Sequence, residues 1–159
     1  MLKRFIFSAV VVAVSSLGSF SCGSTGTPVV DAGSDPELIC DASPPATTFS
    51  KVYSDIFTPA CISCHKMGAP DGSDNYGLYN TEVAAFGQVG HKSLYAGSDT
   101  TLKVVDPNNL ATSTMYLKVM GKKGPGDKTV GALMPLGGPA LSAVQKKLLK
   151  DWICSGAKM

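Results

Sequence analysis

Arginine is all but missing from this 159-residue chain: Arg4 is the single one, and the thirteen lysines form no dense basic run. Nucleic-acid binders use clustered Lys and Arg to neutralise phosphates, so this composition argues against such a partner. Long apolar runs are scarce too. The longest, from Phe5 to Val14, falls well short of the roughly 20 residues a spanning helix needs. No succession of alternating apolar and polar residues marks out strands, and no internal repeat is visible. No acid, base and nucleophile are grouped as catalysis would require. Histidine is limited to His65 and His91, and tryptophan to Trp152.

The apolar run that does exist lies in "MLKRFIFSAVVVAVSSLGSFSC", with Lys3 and Arg4 before it and small residues through Ser21 after it. A basic start, a short apolar centre and a small-residue end define an export signal, here residues 1–21. Cys22 follows directly and resembles the lipidated cysteine of bacterial lipoproteins. In that family a Leu usually stands three residues before the cysteine, where this chain has Ser19 and its nearest Leu is Leu17. Ordinary cleavage after Ser21 fits the small residues Ser19 and Ser21 as well. The resemblance implies a membrane attachment through Cys22 on the periplasmic side of a bacterial membrane.

From Gly23 to Thr48 the chain is rich in Gly, Ser, Thr, Pro and Asp. Such a composition buries too little apolar surface to fold alone. Residues 22–48 are therefore expected to be a disordered linker, with the Cys40 region the one part that could be pinned down, and residues 49–159 a single small domain. Without Lys3 and Arg4 the chain carries 12 basic and 12 acidic residues and is formally neutral. Four of the acidic ones, Asp31, Asp35, Glu37 and Asp41, lie in the linker, so the domain is mildly basic.

"CISCH", residues 61–65, is the most specific pattern present. Two cysteines separated by two residues, with histidine next, is the spacing by which thiols bond covalently to a porphyrin while the imidazole ligates its iron. Zinc is the first rival, since Cys61, Cys64, His65 and His91 make four ligands on paper, although adjacent Cys64 and His65 chelate awkwardly. A thioredoxin-like dithiol would need a βαβ setting, which the sequence lacks. A plain disulfide would leave His65 without a role. If Cys61 and Cys64 hold haem and Cys22 holds lipid, Cys40 and Cys154 remain, and in an oxidising compartment they are expected to pair.

Helical periodicity frames this motif. "FSKVYSDIFTPAC" places Val52, Tyr53, Ile56 and Phe57 at helical spacing, with Ser50 as an N-cap and Pro59 as a stop or kink. "LSAVQKKLLKDWICSGA" opens on a capping-box pair, Ser142 and Gln145, and continues with a stripe of Val144, Leu148 and Trp152 flanked by Leu149 and Ile153. Gly156 is its expected stop. Weaker helices are expected at residues 82–89 and 113–119, and Trp152 is expected to pack the last helix on the first near Phe57.

A helix leading into C-x-x-C-H, then loops, then an amphipathic C-terminal helix resembles the class I c-type cytochromes over residues 49–159. The resemblance implies a mainly α, cytochrome c-like domain wrapped around one covalently bound haem c. Cys61 and Cys64 would be its attachment points and His65 its proximal iron ligand. In "GALMPLGGPALS" the pair Met134-Pro135 matches the loop methionine that this family places before its last helix, which makes Met134 the second ligand. His91 is the competitor, giving a bis-histidine iron. Met115 and Met120, within or just after a helical stretch, read as core packing, and Met67 is too close to His65 to reach the other haem face. "NYGLYN" resembles the segment that packs on the porphyrin, with Leu78 the contact. Tyr79, Tyr95 and Tyr116 are packing residues or propionate partners.

The function so implied is electron carriage between redox proteins outside the cytoplasm, not enzymatic catalysis. Lysines 118, 122, 123, 128, 146, 147 and 150 are either a ring that steers an acidic partner or a solvated surface. Two other readings stay open: a gas- or peroxide-responsive haem protein with a labile sixth position, and a metal-binding lipoprotein without haem.

Overall fold

A computed structural model describes residues 35–66, 81–96 and 101–159. The export signal, Cys22, Met67, Leu78 and Tyr79 lie outside the described residues. Among those described, the regular structure is helical, with isolated backbone bridges and no extended strand. No helix there is long and apolar enough to cross a membrane.

The first helical rod is built of α1 (Phe49–Val52), a π turn (Tyr53–Phe57) and α2 (Thr58–Ala60), which follow one another without a break. Thr48, not Ser50, is its N-cap; Ser50 lies inside the helix and its hydroxyl donates to Glu82. Pro59 does not end the rod, because the residues before it are wound in the wider π turn. In a regular helix residue 59 would donate to the Asp55 carbonyl, which a proline is unable to do. That carbonyl instead accepts from Gln145 Nε2 of the last helix at 2.8 Å.

The remaining helices are α3 (Glu82–Phe86), α4 (Thr114–Met120) and α5 (Ala143–Cys154). α3 is shorter than its apolar pattern predicts, closing at Gly87. α4 starts one residue late, at Thr114, because the Ser113 hydroxyl is spent on the preceding loop: it accepts from the Asp106 N–H at 2.8 Å and donates to the Asn109 carbonyl at 2.7 Å. It ends at Gly121, whose φ of 67° supplies the left-handed residue that closes a helix. α5 opens on the expected capping box between Ser142 and Gln145.

Phe49 is the centre of the main core. Its ring lies 5.0 Å from Trp152, 5.4 Å from Phe57 and 5.4 Å from Phe86, centroid to centroid. Trp152 thus joins α5 to the rod through Phe49, which itself packs on Phe57. The ring is fully buried, and its indole N–H donates to the Lys158 carbonyl at 2.8 Å. The buried face of α5 is Leu149, Trp152 and Ile153, while Val144 stays 79% exposed. Val144 and Leu148 line an outer groove of about 380 Å³ with Ala143, Lys147 and Asp151. A smaller cluster of Ala96, Leu102, Leu117 and Val130 packs beside the other side of α4.

Residues 35–48 run as a strap along α4 and α5. Cys40 is bridged to Cys154 by a disulfide. Lys122 pairs with both Asp35 and Glu37 at 2.7 Å, and Lys150 with Asp41 at 3.3 Å. The buried Tyr116 hydroxyl donates to the Glu37 carbonyl at 3.2 Å, and Leu38 packs on both apolar clusters.

Candidate functional site

The rod delivers the chain to Cys61 in a defined orientation. The Cys61 and Ile62 N–H groups both donate to the Phe57 carbonyl, at 2.9 and 3.0 Å, which carries the winding one step past Ala60. The Cys61 carbonyl then accepts from Cys64 N–H at 3.2 Å and from His65 N–H at 2.9 Å. One helical turn thus holds all three side chains at positions i, i+3 and i+4. That spacing puts them on the same face.

Their surroundings differ. Cys61 is half-buried against the main core, its thiol 3.8 Å from the Ile56 carbonyl, and burial, helped by Cys64 beside it, pushes the thiol up to about 11. Cys64 is exposed and accepts from the Ser63 hydroxyl at 3.8 Å. His65 is half-buried. The disulfide between Cys40 and Cys154 leaves these two cysteines as thiols.

Met134 also reaches the main core. It is half-buried and packs on the core cluster that Cys61 also touches, as do Ala60, Phe86, Val89, Met115 and Met120. On the loop that carries Met134, Leu133 is 51% and Leu136 71% exposed. Packing does not separate the three methionines, since Met115 and Met120 are half-buried on the same cluster; their place on α4 as against a loop does. The Met134-Pro135 peptide is cis, and the Met134 N–H donates to the Lys118 carbonyl at 3.1 Å.

His91 is exposed, and its segment is pinned by backbone bonds, with Val104 N–H donating to the His91 carbonyl at 2.8 Å. Among the described residues, no group of three or more His, Cys, Asp and Glu is gathered as ligands for a metal ion, so the four-ligand set imagined from Cys61, Cys64, His65 and His91 is not assembled. Tyr116 is committed to the strap and Tyr95 to Lys118, whose ammonium donates to its hydroxyl at 3.1 Å.

The turn offers two thiols, which could bond covalently to a porphyrin, and one imidazole, which could ligate an iron, with no carboxylate among them. These are the residue types that a covalently held haem needs. Two arrangements near the site went unread in the sequence: the hold of Lys118 on the Met134 loop and the hold of Gln145 on the rod. Both join residues far apart in the chain, and neither leaves a local pattern. No family model, no curated protein and no solved structure matches the chain.

Proposed function

We propose that this chain is a one-haem c-type cytochrome. Within that class its role is that of an exported electron carrier, anchored on the periplasmic side of a bacterial membrane through Cys22 and passing single electrons between redox proteins. The observation that carries the reading is the turn that sets Cys61, Cys64 and His65 at positions i, i+3 and i+4, with Cys61 packed on the core cluster on which Met134 also packs.

Cys61 and Cys64 would hold the porphyrin through thioether bonds, His65 would ligate the iron, and Met134 would be the second ligand. The haem, when bound, supplies a one-electron couple at its iron. The chain's own contribution would be to select a high potential by offering a soft thioether on one side, and to keep water from the group with apolar side chains of the core. Leu78, in the segment that resembles the porphyrin-packing stretch of this class, would add apolar cover.

The test is maturation of the chain in an exporting host with a cytochrome c assembly system. Haem that stays with the polypeptide after denaturation, and is lost from the Cys61→Ala/Cys64→Ala double variant, is the expected result. The oxidised protein should show the far-red sulfur-to-iron charge-transfer band, and Met134→Ala should abolish it. A chain that retains no haem would select the metal-binding lipoprotein; haem without the band, together with rapid carbon monoxide binding, would select the gas-responsive protein.

A further inference from the structure

The loop carrying Met134 is held at both of its ends by one residue. Lys118, on α4, uses its ammonium to donate to the Val130 carbonyl at 3.0 Å and its own backbone carbonyl to accept from the Met134 N–H at 3.1 Å. The same ammonium donates to the Tyr95 hydroxyl at 3.1 Å and lies 4.6 Å from the centre of that ring. Between the two held points the chain turns at Gly131, whose φ is 84°. A Cβ there would meet the Tyr95 hydroxyl at 2.5 Å and the Lys118 Nζ at 3.0 Å. Tyr95 and Lys118 therefore fill the space that any larger residue would need, and the glycine lets the loop close over them.

We propose that Lys118 and Tyr95 are positioning residues that clamp residues 130–134 and so present Met134 to the iron as its second ligand. The proposal rests on the haem reading above and deepens it. A loop ligand is held only as firmly as its loop, because a thioether that swings away leaves the position open to water or to another side chain. The backbone bond from Met134 to Lys118 survives a change of side chain at 118; the bond to Val130 and the contact with Tyr95 do not. The clamp is thus separable from the rest of α4.

Three variants of the haem-loaded protein test it. Lys118→Met keeps the apolar stem and removes the donor, Lys118→Arg keeps a donor, and Tyr95→Phe removes one hydroxyl. In Lys118→Met the charge-transfer band should lose most of its intensity. The reduction potential should fall, because losing a soft ligand disfavours the reduced iron. Exchange of the Met134 amide hydrogen should quicken at least tenfold while the far-ultraviolet circular dichroism is unchanged. Lys118→Arg should restore most of the band, and Tyr95→Phe should show a partial loss. If Lys118→Met does not fold, Tyr95→Phe carries the test alone. A wild-type band that Lys118→Met or, in its place, Tyr95→Phe leaves intact at unchanged potential overturns the clamp and spares the haem reading. Haem without the band in the wild type overturns Met134 ligation, and the clamp with it.

Discussion

Cys61 and Cys64 share one turn but not one environment. Cys61 is buried enough that its thiol is pushed to about 11, first by desolvation and then by the neighbouring Cys64. At pH 8, two pK units above the ordinary value mean about 100-fold less thiolate, the form that reacts. In the chain isolated without a covalently attached cofactor, iodoacetamide should therefore label exposed Cys64 well before Cys61, which peptide mass spectrometry reads directly. The buried Tyr116 hydroxyl is likewise pushed up, to about 12, chiefly by burial. Both groups are neutral acids whose folded values lie above their ordinary ones. Their stabilisation is complete below about pH 9 and is lost as pH rises through 11 and 12. For Cys61 alone the loss is on the order of 2–3 kcal/mol. Denaturant titrations from pH 8 to pH 12 should show this decline, and a chain whose stability is flat over that range would contradict the burial of both groups.

At the scale of elements, the decisive contact is the one between the rod and α5. A π turn and a proline leave the Asp55 carbonyl without a helical donor, and Gln145 supplies one from across the core at 2.8 Å. The same side chain closes the capping box of α5 through its other amide atom, accepting from Ser142 N–H at 3.0 Å. Gln145→Ala removes a cap and orphans a carbonyl in the rod that leads into the C-x-x-C-H turn. The expected cost is about 1–3 kcal/mol, from the usual range for a lost cap and for an unsatisfied backbone group. Urea unfolding of the variant checks it, and a loss below about 0.5 kcal/mol would mean water replaces the amide.

On the scale of the whole molecule, the strap and the disulfide tie the start of the described chain to its end. Cys40 and Cys154 are 114 residues apart, and a bridge closing so long a loop removes much of the unfolded chain's freedom. The Cys40→Ser/Cys154→Ser double variant should lose about 2–5 kcal/mol and become sensitive to proteolysis before residue 49, as seen by mass spectrometry of limited digests. The remaining strap contacts include the Lys122 ion pairs. These hold the Asp35 carboxyl below its usual range and raise the Lys122 ammonium, and being at the surface they weaken with salt.

Charge pairing also bears on partners. Of the seven lysines that would form a steering ring, Lys122, Lys123, Lys147 and Lys150 are each paired with a carboxylate of this chain. Lys118 holds the Met134 loop instead. The field these lysines would present to an acidic partner is correspondingly weak. Bimolecular electron-transfer rates should fall only a few-fold between about 10 and 150 mM salt, measured by stopped flow. A fall of a hundredfold or more would show that the lysines act as an unpaired patch.

The sequence by itself determined the local features: the capping box at Ser142 and Gln145, the helical frame on either side of the loops, and the C-x-x-C-H turn. Each is set by residues within a few positions of one another, where spacing and side-chain chemistry suffice. The pairing of Cys40 with Cys154 is reached from the cysteine inventory only by giving Cys61 and Cys64 to haem and Cys22 to lipid, and the structure carries that bridge. Only the tertiary structure decided the rest. The rod continues through Pro59 because Gln145, 86 residues away from that proline in number, satisfies what the proline leaves open. α5 buries Leu149 and Trp152 and leaves Val144 outside, since the orientation of an amphipathic helix is settled by the surface it meets. The Met134 loop takes its form from Lys118 and Tyr95. Periodicity records which residues are apolar; which of them face one another depends on how the elements fit together.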